Sequence, residues 1–536
     1  MIRRPCLGLA LFLLAAGPAT ADDPLVAKVE AVLRTPPYRH ASWGLLVVDS
    51  ATGGVVYEKD ADAMFGPASV TKLFSTAAAL VDLGPEFTFR TPVVRRGNVD
   101  EDGVLHGDLI LVASGDLCLG GRAGPGRTLL FEDNDHTYAG SNPAASLVPA
   151  DPLSGLDELA GGVAAAGVKA VQGEVLVDDR LFEAAASTGS GPTHVSPVVV
   201  NDNVVDVVVS PGASAGEPAT VTVVPVTSFV TVDARVETMA EGTTPSITVR
   251  RVGPRSFTVR GSVPVGHKPS VRIFEVDDPA SFARSLFIEA LRRRGVRVGA
   301  SPLGQNAAGR LPATAEVASL PKLATYTSPP FREYAKVVLK VSHNLYASTL
   351  PLLIAARHGE STLAEGLLRE GRVLRELGVD VGAISFGGGA GGAREDLATP
   401  RAVVGLLRAM ASRPESPSYE AALPVLGRDG TLARAVGPES PARGHARAKT
   451  GTYWVHNALT GKTVITSKAL AGTIDAADGR RLTFAFFLND VPIPETGMAV
   501  SEATAAAGRT LGTLCEIFHA DRGEKAPSAS EAARPR

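Results

Sequence analysis

At 536 residues, with 45% hydrophobic and 20% charged side chains, the chain is a globular protein too long for one ordinary core. Two or three domains are therefore expected. A net charge of -3 removes any electrostatic case for a nucleic-acid partner, and 56 glycines with 38 prolines favour many turns over long helical bundles.

The first 21 residues read as an export signal: Arg3 and Arg4, an apolar run over 6–17, and Ala19-Thr20-Ala21 as a cleavage site. Pro5 before Cys6 does not resemble a lipid-attachment box, so a soluble periplasmic or secreted form is expected rather than a lipoprotein, and the apolar run is short for an uncleaved anchor. No later segment is long and apolar enough to cross a bilayer. Cys118 and Cys515 remain in the mature chain, and sequence alone leaves their pairing open.

Residues 24–34 suit a short helix, and 42–49 with 54–57 read as a hairpin. Next comes Phe65-Gly66-Pro67-Ala68-Ser69, a turn running into an Ala/Leu-rich helical segment with Lys72 three positions after Ser69. On a helix those positions share a face, so an amine can stand beside a hydroxyl and make it a nucleophile. Spacing alone proves little, because Ser319 and Lys322 repeat it where Pro321 argues for a loop.

From about residue 92 to 318 the texture turns mainly β, with helices at 156–166 and 282–294, and this region is expected to be an insertion of two subdomains. Within it, Glu132 to His136 fits no calcium loop and reads as a solvated acidic loop, and Asn201-Asp202-Asn203 reads as a turn; no metal is expected. Helical periodicity returns over 331–341, 345–358, bent at Pro351, and 363–377. A flexible glycine loop (386–392), a helix from Pro400, strands at 468–474 and 482–489 and a helix over 499–519 follow. The end, 521–536, is polar and expected to be disordered.

Three motifs stand in one order: Ser69-x-x-Lys72, Ser342-x-Asn344 and Lys449-Thr450-Gly451. Together they resemble those of the serine penicillin-recognising enzymes, the D-alanyl-D-alanine peptidases and β-lactamases. A long insertion between the first two motifs, with Ser114-Gly115-Asp116, Asp429-Gly430-Thr431-Leu432 and Thr452 after the third, is similar to D-alanyl-D-alanine carboxypeptidase/endopeptidases of the penicillin-binding protein 4 type. The resemblance implies an α/β (α+β) multi-domain protein. Its peptidase domain would be an antiparallel sheet flanked by helices, built from 22–91 and 319–520 and interrupted by 92–318.

It also implies a peptidoglycan peptide as substrate, β-lactams as acylating inhibitors and no cofactor. Ser69 would attack the carbonyl and Lys72 accept its proton. Ser342 would relay a proton to the leaving amine, and Asn344 would bind the substrate amide. Lys449 and Thr450 would hold the terminal carboxylate, with Gly451 letting the substrate backbone approach. Backbone N–H groups of Ser69 and Thr452 would form an oxyanion hole.

Three departures stand out. Ser348 occupies a position where this family has an acidic residue, the loop 388–393 keeps only its glycines, and a segment over 454–467 follows the Lys-Thr-Gly strand. A β-lactamase or esterase on a related scaffold, and a non-catalytic wall-binding protein, are the alternatives.

Overall fold

The computed structural model describes residues 23–493 and 498–523. The expected export signal, and the tail from residue 524, lie outside the described residues.

Helix α1 (Pro24–Leu33) starts where the Asp23 carboxylate accepts the Leu25 N–H, with proline in the first turn where no N–H is missed. Strands β1 (Ser42–Asp49) and β2 (Val55–Lys59) then form the expected antiparallel hairpin. A short 3-10 turn, Ala68–Thr71, leads directly into α2 (Lys72–Leu83).

Strands β3 (Arg90–Val99) and β4 (Val104–Val112) open a second sheet, and β5 (Lys322–Thr327) returns antiparallel to β3. Strand β5 thus shares a sheet with β3 and β4 although about 200 residues separate them. Two further three-stranded sheets lie between residues 204 and 275. One apolar cluster joins all three sheets, from Val93 and Leu109 through Val207 to Val259 and Leu286.

Three helices follow: α3 (Phe331–Lys340), α4 (Asn344–Arg357) and α5 (Leu363–Glu376). Pro351 lies inside α4, as the sequence suggested. Helix α6 (Pro400–Ala411) precedes β6 (Ala446–Asn457), β7 (Lys462–Asp475) and β8 (Arg481–Asn489), and α7 (Val500–Ala520) closes the fold. The main sheet runs β6-β7-β8-β1-β2, antiparallel throughout, so the two ends of the chain build it together.

Both faces of this sheet are covered, which is why β1 is apolar without interruption. Its side chains still alternate: Leu45 and Val47 pack with Leu514 and Phe518 of α7, while Leu46 and Val48 pack with Leu73 and Phe74 of α2. Helix α2 is buried nearly all round. Its run Ala77, Ala78 and Ala79 is fully buried where α3 and α4 pack against the helix, and small residues allow that close approach.

Several local expectations are corrected. The glycine loop is packed rather than flexible, with Ala390 buried and the Gly389 carbonyl accepting the Ser75 hydroxyl at 2.8 Å. The acidic segment is solvated only in its first half: Asp133 is exposed, whereas Asp135 and His136 are buried, where Arg122 and the carboxylates of Asp202 and Asp206 pair with them. Ser319 ends a short helix and Lys322 begins β5, so that Ser-x-x-Lys spacing spans two elements rather than a loop. Cys118 and Cys515 are free thiols buried in different apolar clusters.

Candidate active site

Ser69 lies in the 3-10 turn that feeds α2, not in the first α-helical turn. In a 3-10 turn residues i and i+3 eclipse, which aligns Ser69 and Lys72 more directly than an α-helix would. The preceding Ala68 is held at a φ of 44°, a left-handed conformation rare for a residue with a Cβ. Lys72 Nζ stands 2.8 Å from Ser69 Oγ, 2.7 Å from Asn344 Oδ1 and 2.6 Å from the Ala390 carbonyl oxygen.

These partners accommodate both protonation states of the amine. The Ala390 carbonyl and Asn344 Oδ1 can only accept, so they take two N–H bonds of the amine in either state. Ser69 Oγ accepts the third N–H of the ammonium and donates its own proton to the lone pair of the neutral amine. The Asn344 orientation is set independently, because its Nδ2 donates to the Ser190 carbonyl at 2.8 Å. Burial pulls Lys72 down to about 7, against the opposing charge of Asp396.

Ser342 joins α3 to α4 at a φ of 64°, and Tyr138 of the inserted region donates its hydroxyl to the Ser342 carbonyl at 2.6 Å. Lys449 Nζ lies 2.8 Å from Ser342 Oγ and 2.8 Å from the Thr450 carbonyl. Lys449 is fully buried, and burial together with the charges of Lys72 and Lys468 pushes its amine well below the ordinary lysine range. Thr450 bonds Thr431, and Thr452 accepts from Lys468 Nζ, each at 2.8 Å. Burial lowers Lys468 to about 8.

Five of the eight residues singled out in the sequence, Ser69, Ser342, Asn344, Thr450 and Thr452, line one cleft of about 560 Å³, walled also by Tyr138, Ser190, the glycine loop, Tyr453 and Trp454. Lys72, Lys449 and Gly451 stand behind that surface, against Ser69, Ser342 and the serine turn. Both ends of the Asn344 amide are bonded within the protein, Oδ1 to Lys72 and Nδ2 to Ser190, so this side chain also orients the Lys72 amine. A methyl group on Gly451 would meet the Pro67 carbonyl, so this glycine lets the protein's own serine turn approach β6.

Ser348, at the position of the missing acidic residue, bonds Ser187 Oγ and the Thr188 N–H, tying α4 to the inserted region. The segment over 454–467 lengthens the β6–β7 hairpin beyond the sheet and leaves Tyr453, Trp454 and Leu459 exposed. Sequence reasoning did not find Tyr138, Ser190 or Lys468, which reach the site through loops or a neighbouring strand and are marked by no motif spacing. Thr431 and Ala390 lie in stretches it singled out, but it gave neither a role.

Behind α4 lies a buried ionic network. Arg122 pairs with Asp135 at 2.8 Å and Asp202 at 2.6 Å, and His136 bridges Asp202 and Asp206 at 2.7 Å each. Asp135, His136 and Asp202 are spaced like metal ligands, but the Arg122 guanidinium is bonded to both carboxylates and both His136 nitrogens are engaged. The site is an ion-pair cluster. His343 turns away from the cleft to cap α4 and stacks on Tyr346, with ring centroids 3.8 Å apart.

An antiparallel sheet whose edge strand carries Lys-Thr-Gly beside a Ser-x-x-Lys turn defines the α/β fold of the serine penicillin-recognising hydrolases. The chain belongs to the D-Ala-D-Ala carboxypeptidase 3 (S13) family, whose model matches residues 25–509. It is 32% identical to a D-alanyl-D-alanine carboxypeptidase from Actinomadura sp. (strain R39) over 84% of this chain and 82% of that protein. It is 25% identical to D-alanyl-D-alanine carboxypeptidase DacB of Haemophilus influenzae over 44% of this chain and 45% of that protein. The crystal structure of penicillin binding protein 4 (dacB) from Haemophilus influenzae shares the fold, with a TM-score of 0.66 at 19% identity over 90% of this chain and 98% of that one.

Proposed function

We propose that this carboxypeptidase cleaves the terminal D-alanyl-D-alanine bond of peptidoglycan peptides through an acyl-enzyme on Ser69, and that β-lactams acylate the same serine. The observation that carries the reading is the Lys72 amine, buried 2.8 Å from Ser69 Oγ with two obligate acceptors on its other side. The Ser69 proton passes to Lys72 as Oγ bonds to the carbonyl carbon. Backbone N–H groups of Ser69 and Thr452 receive the oxyanion. Ser342, held by Lys449, delivers a proton to the leaving D-alanine amine, and water then releases the acyl group. Lys449 and Thr450 receive the substrate carboxylate.

The same reading places the peptidase domain on both sides of an insertion running from Arg90 to Thr327, consistent with the strand pairing there. It also assigns residues 1–21 to export, since the substrate lies outside the cytoplasm. A complex of the Haemophilus protein with a β-lactam supports the inhibitor class. The test is labelling with a fluorescent penicillin and mapping of the adduct by mass spectrometry, alongside D-alanine release from a muropeptide. An adduct on Ser69 that vanishes in Ser69→Ala, with D-alanine release, is expected. Labelling that survives Ser69→Ala would sink the reading, and turnover of a chromogenic β-lactam without D-alanine release would favour a β-lactamase.

A further inference from the structure

Among the described residues, Lys72 has no ion-pair partner in direct contact, and one of its three ligands is a main-chain carbonyl, that of Ala390. That carbonyl belongs to a loop in which Gly387, Gly388, Gly389, Gly391 and Gly392 surround one alanine. A backbone so free has no intrinsic reason to hold one conformation. It is nevertheless wedged against the serine turn, where Gly391 at a φ of 90° leaves no room for a Cβ beside the Ala68 carbonyl.

One side chain closes this loop. Asp396, 5% exposed, accepts the Gly387 N–H at 2.9 Å through Oδ1 and the Ala393 N–H at 2.8 Å through Oδ2. Its two oxygens therefore clamp the two ends of the segment that carries Ala390. Two bonds from a charged acceptor are stronger than neutral ones and fix the loop's span.

We propose that Asp396 is the positioning residue of the site. Its carboxylate closes the glycine loop so that the Ala390 carbonyl sits on the Lys72 amine, and its charge faces that amine once the Ser69 proton has arrived. The proposal rests on Lys72 being the acceptor of that proton.

The other charged groups around this pair are few. Lys449 of β6 is the nearby amine, and burial with the charges of Lys72 and Lys468 disfavours its protonated form. Glu395 is an exposed carboxylate beside Asp396. Glu370 of α5 lies behind Asp396, buried with both oxygens unpartnered, and burial pushes it up to about 8, so it is neutral at pH 7. Burial raises Asp396 itself to about 6, so near neutrality it is charged while Lys72 titrates.

The experiment is the second-order rate of acylation by a fluorescent penicillin, followed across pH for the full chain and its variants. Asp396→Asn removes the charge and one acceptor. It should acylate at least about tenfold more slowly on the alkaline plateau, with its acid limb moved to lower pH, because Lys72 loses the charge that favours its proton. Asp396→Glu keeps the charge but changes the clamp, so its plateau should fall while the limb stays in place. Glu395→Gln should leave both unchanged.

An Asp396→Asn limb at the wild-type pH would overturn the proposal, even with the unfolding temperature lowered, because a merely structural residue would do only the latter. If Asp396→Asn does not fold, Asp396→Glu decides: a wild-type plateau overturns the proposal, and a lowered plateau with an unmoved limb supports it. A wild-type chain that fails to label at Ser69 would instead defeat the functional reading itself.

Discussion

Lys72 and Lys449 are two buried amines whose environments deprive them of protons for related reasons. For Lys72 the consequence is a pH profile. Its conjugate acid has no lone pair for the Ser69 proton, so acylation should fall as pH drops through about 7 and level off above it. Stopped-flow acylation across pH checks this; a profile flat down to pH 5 would contradict the assignment. Lys449 has the opposite fate when substrate arrives. A carboxylate placed beside its amine favours the charged form, so binding should be accompanied by proton uptake from solution. Calorimetry of a D-alanine-terminated peptide binding to the Ser69→Ala variant, repeated in buffers of different ionisation enthalpy, measures that uptake. Equal heats in all buffers would show Lys449 to be charged already.

At the scale of elements, the decisive contact is between the serine turn and strand β6. Gly451 permits it because the Pro67 carbonyl occupies the space a side chain would need. Gly451→Ala should push β6 away from Ser69 and lower kcat/KM by about 100-fold, as displacements near 1 Å do in preorganised sites. The fold itself should tolerate the change, since β6 is an edge strand paired only with β7 over that stretch. Circular dichroism like that of the wild type, beside the loss of activity, is the expected pair of results. Ser342 shows a related economy: its left-handed backbone is held by Tyr138 from a segment about 200 residues earlier, which thus shapes the site as well as walling it.

Across the whole molecule, the Arg122 network joins residues 122–206 to α4, whose Tyr346 hydroxyl donates to Asp202. Removing the guanidinium leaves Asp135 and Asp202 buried without their main counter-charge. Arg122→Leu should therefore destabilise the fold by about 3–5 kcal/mol, measured by urea denaturation. A loss below 1 kcal/mol would mean that His136 alone balances the carboxylates.

Much of this architecture is legible in the sequence. Short apolar runs mark β1 and β8, because both faces of the sheet are covered, and helical patterns mark α6 and α7, because each buries one stripe of side chains. Ser69, Lys72, Ser342, Asn344 and the Lys449 to Thr452 run are legible because catalysis needs fixed residue types at fixed local spacings. What only the tertiary structure decides are the relations without periodicity. It turned the second half of an apparently solvated acidic segment into a buried ion cluster and a flexible loop into a packed clamp. It committed Asn344 to Lys72 and gave Gly451 a neighbour within the protein itself. In each case the partner lies far along the chain, and burial rather than residue type sets the chemistry, since the cost of desolvation is known only once the surroundings have closed.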